Sequence, residues 1–189
     1  MRERRDQAGD DGRRPPPDLE RLGRRARLLL LGVLLLALAL RLGGLLHDLP
    51  FSYYGDELHF MKRAMALGAG DLNPHWFHKP AFLMYVLLFL YGLYFLGGSA
   101  VGAFDSVEQF AGHFLADHGP FLLIGRSVVL LCGVALVWVV FQLGRRLSSE
   151  LAVAMSGALL AAVTPALVSS SQLIKADMPC ALLISLSLL

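Results

Sequence analysis

The chain has 189 residues, 56% of them hydrophobic, with a mean hydropathy of +0.57, well above the apolar share of an ordinary soluble domain. Its net charge of +2 comes with basic residues crowded into an arginine-rich head rather than spread over one face, a pattern that gives no reason to expect a nucleic-acid partner. The composition reads as that of a membrane protein, and the two cysteines, Cys132 and Cys180, lie inside apolar runs as plain packing residues.

Residues 1–27, MRERRDQAGDDGRRPPPDLERLGRRAR, mix both charge signs around a proline triplet. They cannot bury a core and are expected to form a disordered tail. Arg24, Arg25 and Arg27 abut the first apolar run and place this end in the cytoplasm by the positive-inside rule. Residues 28–46 are long enough to span a bilayer. A cleaved signal peptide is the competing reading, with Ala37-Leu38-Ala39 as its small-residue site; the apolar residues that resume after Arg41 favour a span. Arg41 is expected to snorkel to the interface.

Pro50 and Gly55 break the chain, and Glu57 to Leu67 then shows helical spacing, with Leu58, Met61 and Met65 on one side and Lys62 and Arg63 on another. Gly68 and Gly70 end it. Such a helix would lie along the outer surface of the bilayer. After Asn73-Pro74 come HWFHKP and an apolar run over 81–96 in which Tyr85, Tyr91 and Tyr94 read as an aromatic belt.

Parity decides whether that run crosses. Arg145 and Arg146 lie between the runs 121–143 and 151–168 and should be cytoplasmic like the head. Two crossings between the arginine clusters satisfy this and three do not, so 81–96 is expected to stay interfacial. A third crossing would put Asp177 on the face opposite Asp56. Residues 97–119 read as an external loop with room for a short helix. Pro165 is a kink near the end of 151–168, and a last, incomplete span covers 178–189, so the chain reads as the amino-terminal part of something longer. The expected fold class is all-α: a polytopic transmembrane helix bundle with amphipathic juxtamembrane helices in its first external loop.

On this topology Asp56, Glu57, His75, His78, Lys79 and Asp177 meet on one side of the membrane. A carboxylate there can act as general base on an attacking hydroxyl, and a lysine can hold a phosphate as a point charge. Plainer roles stand beside these. Asp56 can be an N-cap and Glu57 a dipole complement; Asp177 can pair with Lys175, Lys79 can snorkel and Arg126 can be a flanking anchor. His75 and His78 can bind a metal together with a carboxylate or serve as interfacial anchors.

Taken in order, YYGDELHF (Asp56, Glu57), FHKPAF (His78, Lys79, Pro80), GRSVVLL (Arg126) and KADMP (Asp177) resemble the membrane glycosyltransferases of the GT-C fold. The branch they are most similar to holds the protein O-mannosyltransferases and the aminoarabinose transferase of lipid A. The resemblance covers roughly residues 28–189. It implies transfer of a sugar from a polyprenyl phosphate to an acceptor hydroxyl on a glycan, lipid or protein, usually with inversion, at the external face of the plasma membrane. Carried over, Asp56 is the base, Glu57 its neighbour in the site, Lys79 the group that grips the lipid phosphate, His78 a substrate-site residue and Asp177 the second acid. His78 stands where the aminoarabinose-type pattern has a glutamate able to bind metal. A divalent metal ion is therefore a candidate cofactor, with Glu57 and His78 as candidate ligands. Ala81 replaces the usual second proline. The alternative is a transporter or flippase for a lipid-linked or small polar substrate, in which the same charges line a path; a purely structural membrane protein is a third.

Overall fold

The computed structural model describes residues 23–189, all helix and connection, with no strand among them. The expected tail falls outside these residues up to position 22. Its last part is corrected: helix α1, Arg24–Leu42, takes in Arg24, Arg25 and Arg27. The leucine and alanine run that follows is rich in strong helix formers, and Gly43-Gly44 closes it.

Seven more helices follow: α2 Gly55–Leu67, α3 Phe82–Ala100, α4 Val107–Ala116, α5 Gly119–Leu147, α6 Leu151–Val163, α7 Pro165–Ser170 and α8 Asp177–Ser187. Two of them, α3 and α5, are long and apolar enough to cross a membrane; α3 covers residues 82–96 of the run expected to be interfacial, and is longer than that run because its helix continues to Ala100. With 29 residues α5 extends about 43 Å, and α1, α2, α3, α6 and α8 all pack against it. Pro120 in its first turn costs no hydrogen bond, because that N–H has no intrahelical partner in any case.

Two apolar clusters divide along α5. Its C-terminal half packs with α1 and α6 through Ala26, Leu30, Ala37, Val137, Phe141, Ala154, Ala158 and Ala162. Small residues let the backbones approach. A Cβ on Gly144 would stand 2.7 Å from the Ala154 Cα. The N-terminal half of α5 meets α2, α3, α4, Ile174 and Met178. Here Tyr91 is buried and donates from its hydroxyl to the Phe121 carbonyl at 3.2 Å, while Tyr94 sits among Phe104, Phe110, Phe121 and His113. Of the three tyrosines in this run, Tyr85 alone stays exposed, bonded to the Leu72 carbonyl. The expected aromatic belt is thus a packed cluster that fixes α4 onto α3. The loop expected over 97–119 is shorter than foreseen, since α3 runs on to Ala100 and α4 is a full helix capped by the Ser106 hydroxyl.

Arg41 does not snorkel. It is fully buried, with Nη1 donating to the Ala37 and Ala162 carbonyls at 3.1 and 3.0 Å, Nη2 to Ala161 at 3.3 Å and Nε to the Ser171 hydroxyl at 3.2 Å. The reason lies at Pro165, where the expected span 151–168 breaks into α6 and α7. Proline has no N–H to offer the Ala161 carbonyl four residues earlier, and the guanidinium fills that place. Its charge also complements the negative end of α6. Since α1 and α6 both bring their C-terminal ends to Arg41, they run the same way. The short connection 148–150 turns α6 back against α5.

Candidate active site

Successive helical residues point about 100° apart, so the adjacent carboxylates at the start of α2 cannot share a direction. Glu57 turns inward and Asp56 outward. Glu57 is completely buried, and Arg126 of α5, itself buried, grips it with two parallel bonds of 2.8 Å, Nε to Oε1 and Nη2 to Oε2. The Ile174 N–H donates to Oε1 at 3.1 Å and the Ser52 hydroxyl to Oε2 at 3.0 Å. Arg126 Nη1 donates to the carbonyls of Leu45 and His47. One ion pair therefore ties together the α1–α2 connection, α2, α5 and the segment ahead of α8. Bidentate geometry with every lone pair occupied is what makes a buried pair tolerable. Arg126 is not a flanking anchor, and Glu57 has no oxygen left for a metal or a substrate.

Asp56 is the carboxylate that faces out, about 45% exposed, and the Lys79 ammonium pairs with it. It is not the cap of α2. The capping position is Tyr54, whose side chain makes no cap bond. The hydrogen bond from Lys79 comes first among the causes that hold the Asp56 carboxyl below the usual carboxylate range, and the charges of Lys79, Lys175 and His59 act in the same direction. Lys175 reaches the site from the segment before α8 and lies over the Tyr54 ring at 5.9 Å. Lys79 lies over Phe60 at 5.6 Å.

The HWFHKP stretch is laced back onto α2. Arg63 donates to the Pro74 carbonyl at 2.8 Å and stands over Trp76, whose ring meets His59 at 3.9 Å and His78 at 5.9 Å. His75 bonds to Asp71 at 2.6 Å, and that bond holds the Asp71 carboxyl low. So the two histidines do not join a common carboxylate. Among the described residues no three of His, Cys, Asp and Glu converge, and the Glu57 and His78 ligand pair does not fit a metal because Glu57 is fully engaged by Arg126. Asp177 is the exposed first residue of α8. No ion pair to Lys175 forms among the described residues, leaving that lysine turned to Tyr54.

Of the residues singled out in the sequence, Asp56 and Lys79 are in contact, Glu57 lies behind them, His78 borders them through Trp76, and Asp177 follows the irregular segment that carries Lys175. His59 was not anticipated, although its place one turn after Asp56 was a readable signal. A small cavity of about 100 Å³ opens beside Arg126, lined by His47, Tyr54 and Gln172 among others. An apolar groove of about 340 Å³ runs between α2, α3 and α4 past Met65, Leu88 and Phe95. Compared with known protein families, curated proteins and solved structures, the chain matches none.

Proposed function

We infer that this end of the bundle is the catalytic face of a polyprenyl-phosphate-dependent glycosyltransferase of the GT-C kind, working at the external surface of a plasma membrane that the chain crosses several times. The observation that carries the reading is the half-exposed Asp56–Lys79 pair, set against the segment 174–175 by the Glu57 bond to Ile174 and backed by a neutral buried pair. A carboxylate and an ammonium group thus stand together beside a segment far along the sequence, which supports reading them as base and phosphate-binding cation.

In the transfer, the acceptor oxygen attacks the anomeric carbon while Asp56 takes its proton. The bond from that carbon to the phosphate oxygen breaks, its electron pair leaves with the polyprenyl phosphate, and Lys79 balances the charge that develops. Attack from the side opposite the leaving group inverts the anomeric centre. The groove between α2, α3 and α4 has the size and apolar lining to take a stretch of isoprenoid chain. Glu57 and Arg126 act behind the site as positioning residues.

The transporter reading draws on two other features, a buried arginine and a broken helix, both of which transporters use at their binding sites. Here each satisfies the other, with the Arg41 donors given to the carbonyls at the break. Chemistry at the Asp56 face is the better account. Its test is transfer of labelled sugar from a polyprenyl phosphate donor in proteoliposomes. Asp56→Asn is expected to reduce turnover to background with insertion intact; normal turnover in that variant removes Asp56 from the mechanism.

A further inference from the structure

We propose that a phosphate-class anion binds between the ammonium groups of Lys79 and Lys175 and draws Lys79 away from Asp56, freeing that carboxylate. The proposal rests on reading this face as the donor site. The groups whose charge bears on Asp56 are Lys79, Lys175 and His59, three bases around one acid. Glu57 and Arg126 behind them form a closed neutral pair and add nothing to this balance. Lys175 has no carboxylate partner among the described residues, Asp177 being exposed and unpaired there, and its ammonium is held only over the Tyr54 ring.

Donors are in excess as well. Tyr54 leaves the first turn of α2 without a side-chain cap, so that turn offers free N–H groups and the positive end of a helix dipole. The Nε2 atom of His59 is buried with no hydrogen-bond partner, a state that calls for an explanation. A compact oxyanion with several acceptors and up to two charges suits the two ammonium groups and the uncapped turn beside them. It also competes well for Lys79, whose present partner is a single carboxylate in contact with solvent. While Lys79 holds Asp56, that group is a weak base; once the anion takes Lys79, its proton affinity rises. The acceptor would then be activated only with a donor in place.

The source of the phosphate is either a free ion or a lipid-linked headgroup, and two probes separate them. Binding of inorganic phosphate and of geranyl phosphate to the chain in lipid nanodiscs is measured by calorimetry. Lys175→Gln is expected to weaken binding of both probes about tenfold, Lys175→Arg to restore most of it, and Asp56→Asn to tighten it by releasing Lys79. Unaltered affinity in Lys175→Gln, or no gain in Asp56→Asn, overturns the proposal. If inorganic phosphate follows the expected pattern but geranyl phosphate binds no more tightly, the anion site stands and the lipid-linked donor falls.

Discussion

Asp56 and Glu57 differ by one position and by almost everything else, because helix geometry sends one to solvent and the other to the core. Each predicts a separate measurement. The Asp56 carboxyl is depressed chiefly by the Lys79 bond, so Lys79→Gln is expected to raise its titration midpoint toward the ordinary aspartate value, as read by carbon NMR of the labelled side chain. A depressed folded value means that this pair contributes stability above the unfolded aspartate midpoint and loses it as pH falls through the folded one. For Glu57, removing a single partner leaves a charge buried alone. Glu57→Gln is expected to cost about 3–5 kcal/mol in unfolding experiments. The double variant Glu57→Leu with Arg126→Met should recover much of that loss, and no recovery would mean that the pair is not what holds α2 to α5.

At the scale of helices, the break between α6 and α7 and the arginine that fills it form one unit. Pro165→Ala supplies an N–H to the Ala161 carbonyl, so Arg41→Met should harm stability less in that background than alone, with a coupling of about 1 kcal/mol in a double-mutant cycle. Gly144→Ala drives a methyl into the Ala154 backbone and is expected to cost about 1–3 kcal/mol. Much at this scale was legible in the sequence. The end of α2 at Leu67 followed from Gly68, and α5 from its apolar length, although it runs on through Arg145 and Arg146, expected between the helices, to Leu147. What stayed hidden is pairing over distance: Arg126 meets Glu57 across 69 positions and Arg41 meets Ala162 across 121. Local periodicity carries no record of such partners. Snorkelling was the simplest expectation for Arg41 only because nothing nearby in the sequence announced the orphan carbonyls at Pro165. Lys175 misled in the opposite way, since a near neighbour of opposite sign looked like its partner until α8, opening at Asp177, separated them.

For the whole molecule, the folded chain brings residues 54–57 and 174–175 together at one end, whereas Arg145 and Arg146 close α5 at the other. Single cysteines at His78 and Lys175, with Cys132 and Cys180 replaced by alanine, are expected to react with an impermeant reagent from one side of a sealed membrane, and a cysteine at Ser148 from the opposite side. Position 175 reacting together with 148 would remove the shared external face. The Arg41 contacts also set an order of events. A ribosome working at about 5–20 residues per second delivers that guanidinium roughly ten seconds before Ala162 emerges, the two lying 121 positions apart. Until then the opening helix carries a cation with a single oxygen of the finished bundle in reach, the Ala37 carbonyl one turn back. It settles only when the nascent polypeptide hands over its later half, so early synthesis leaves α1 provisional and late synthesis locks it.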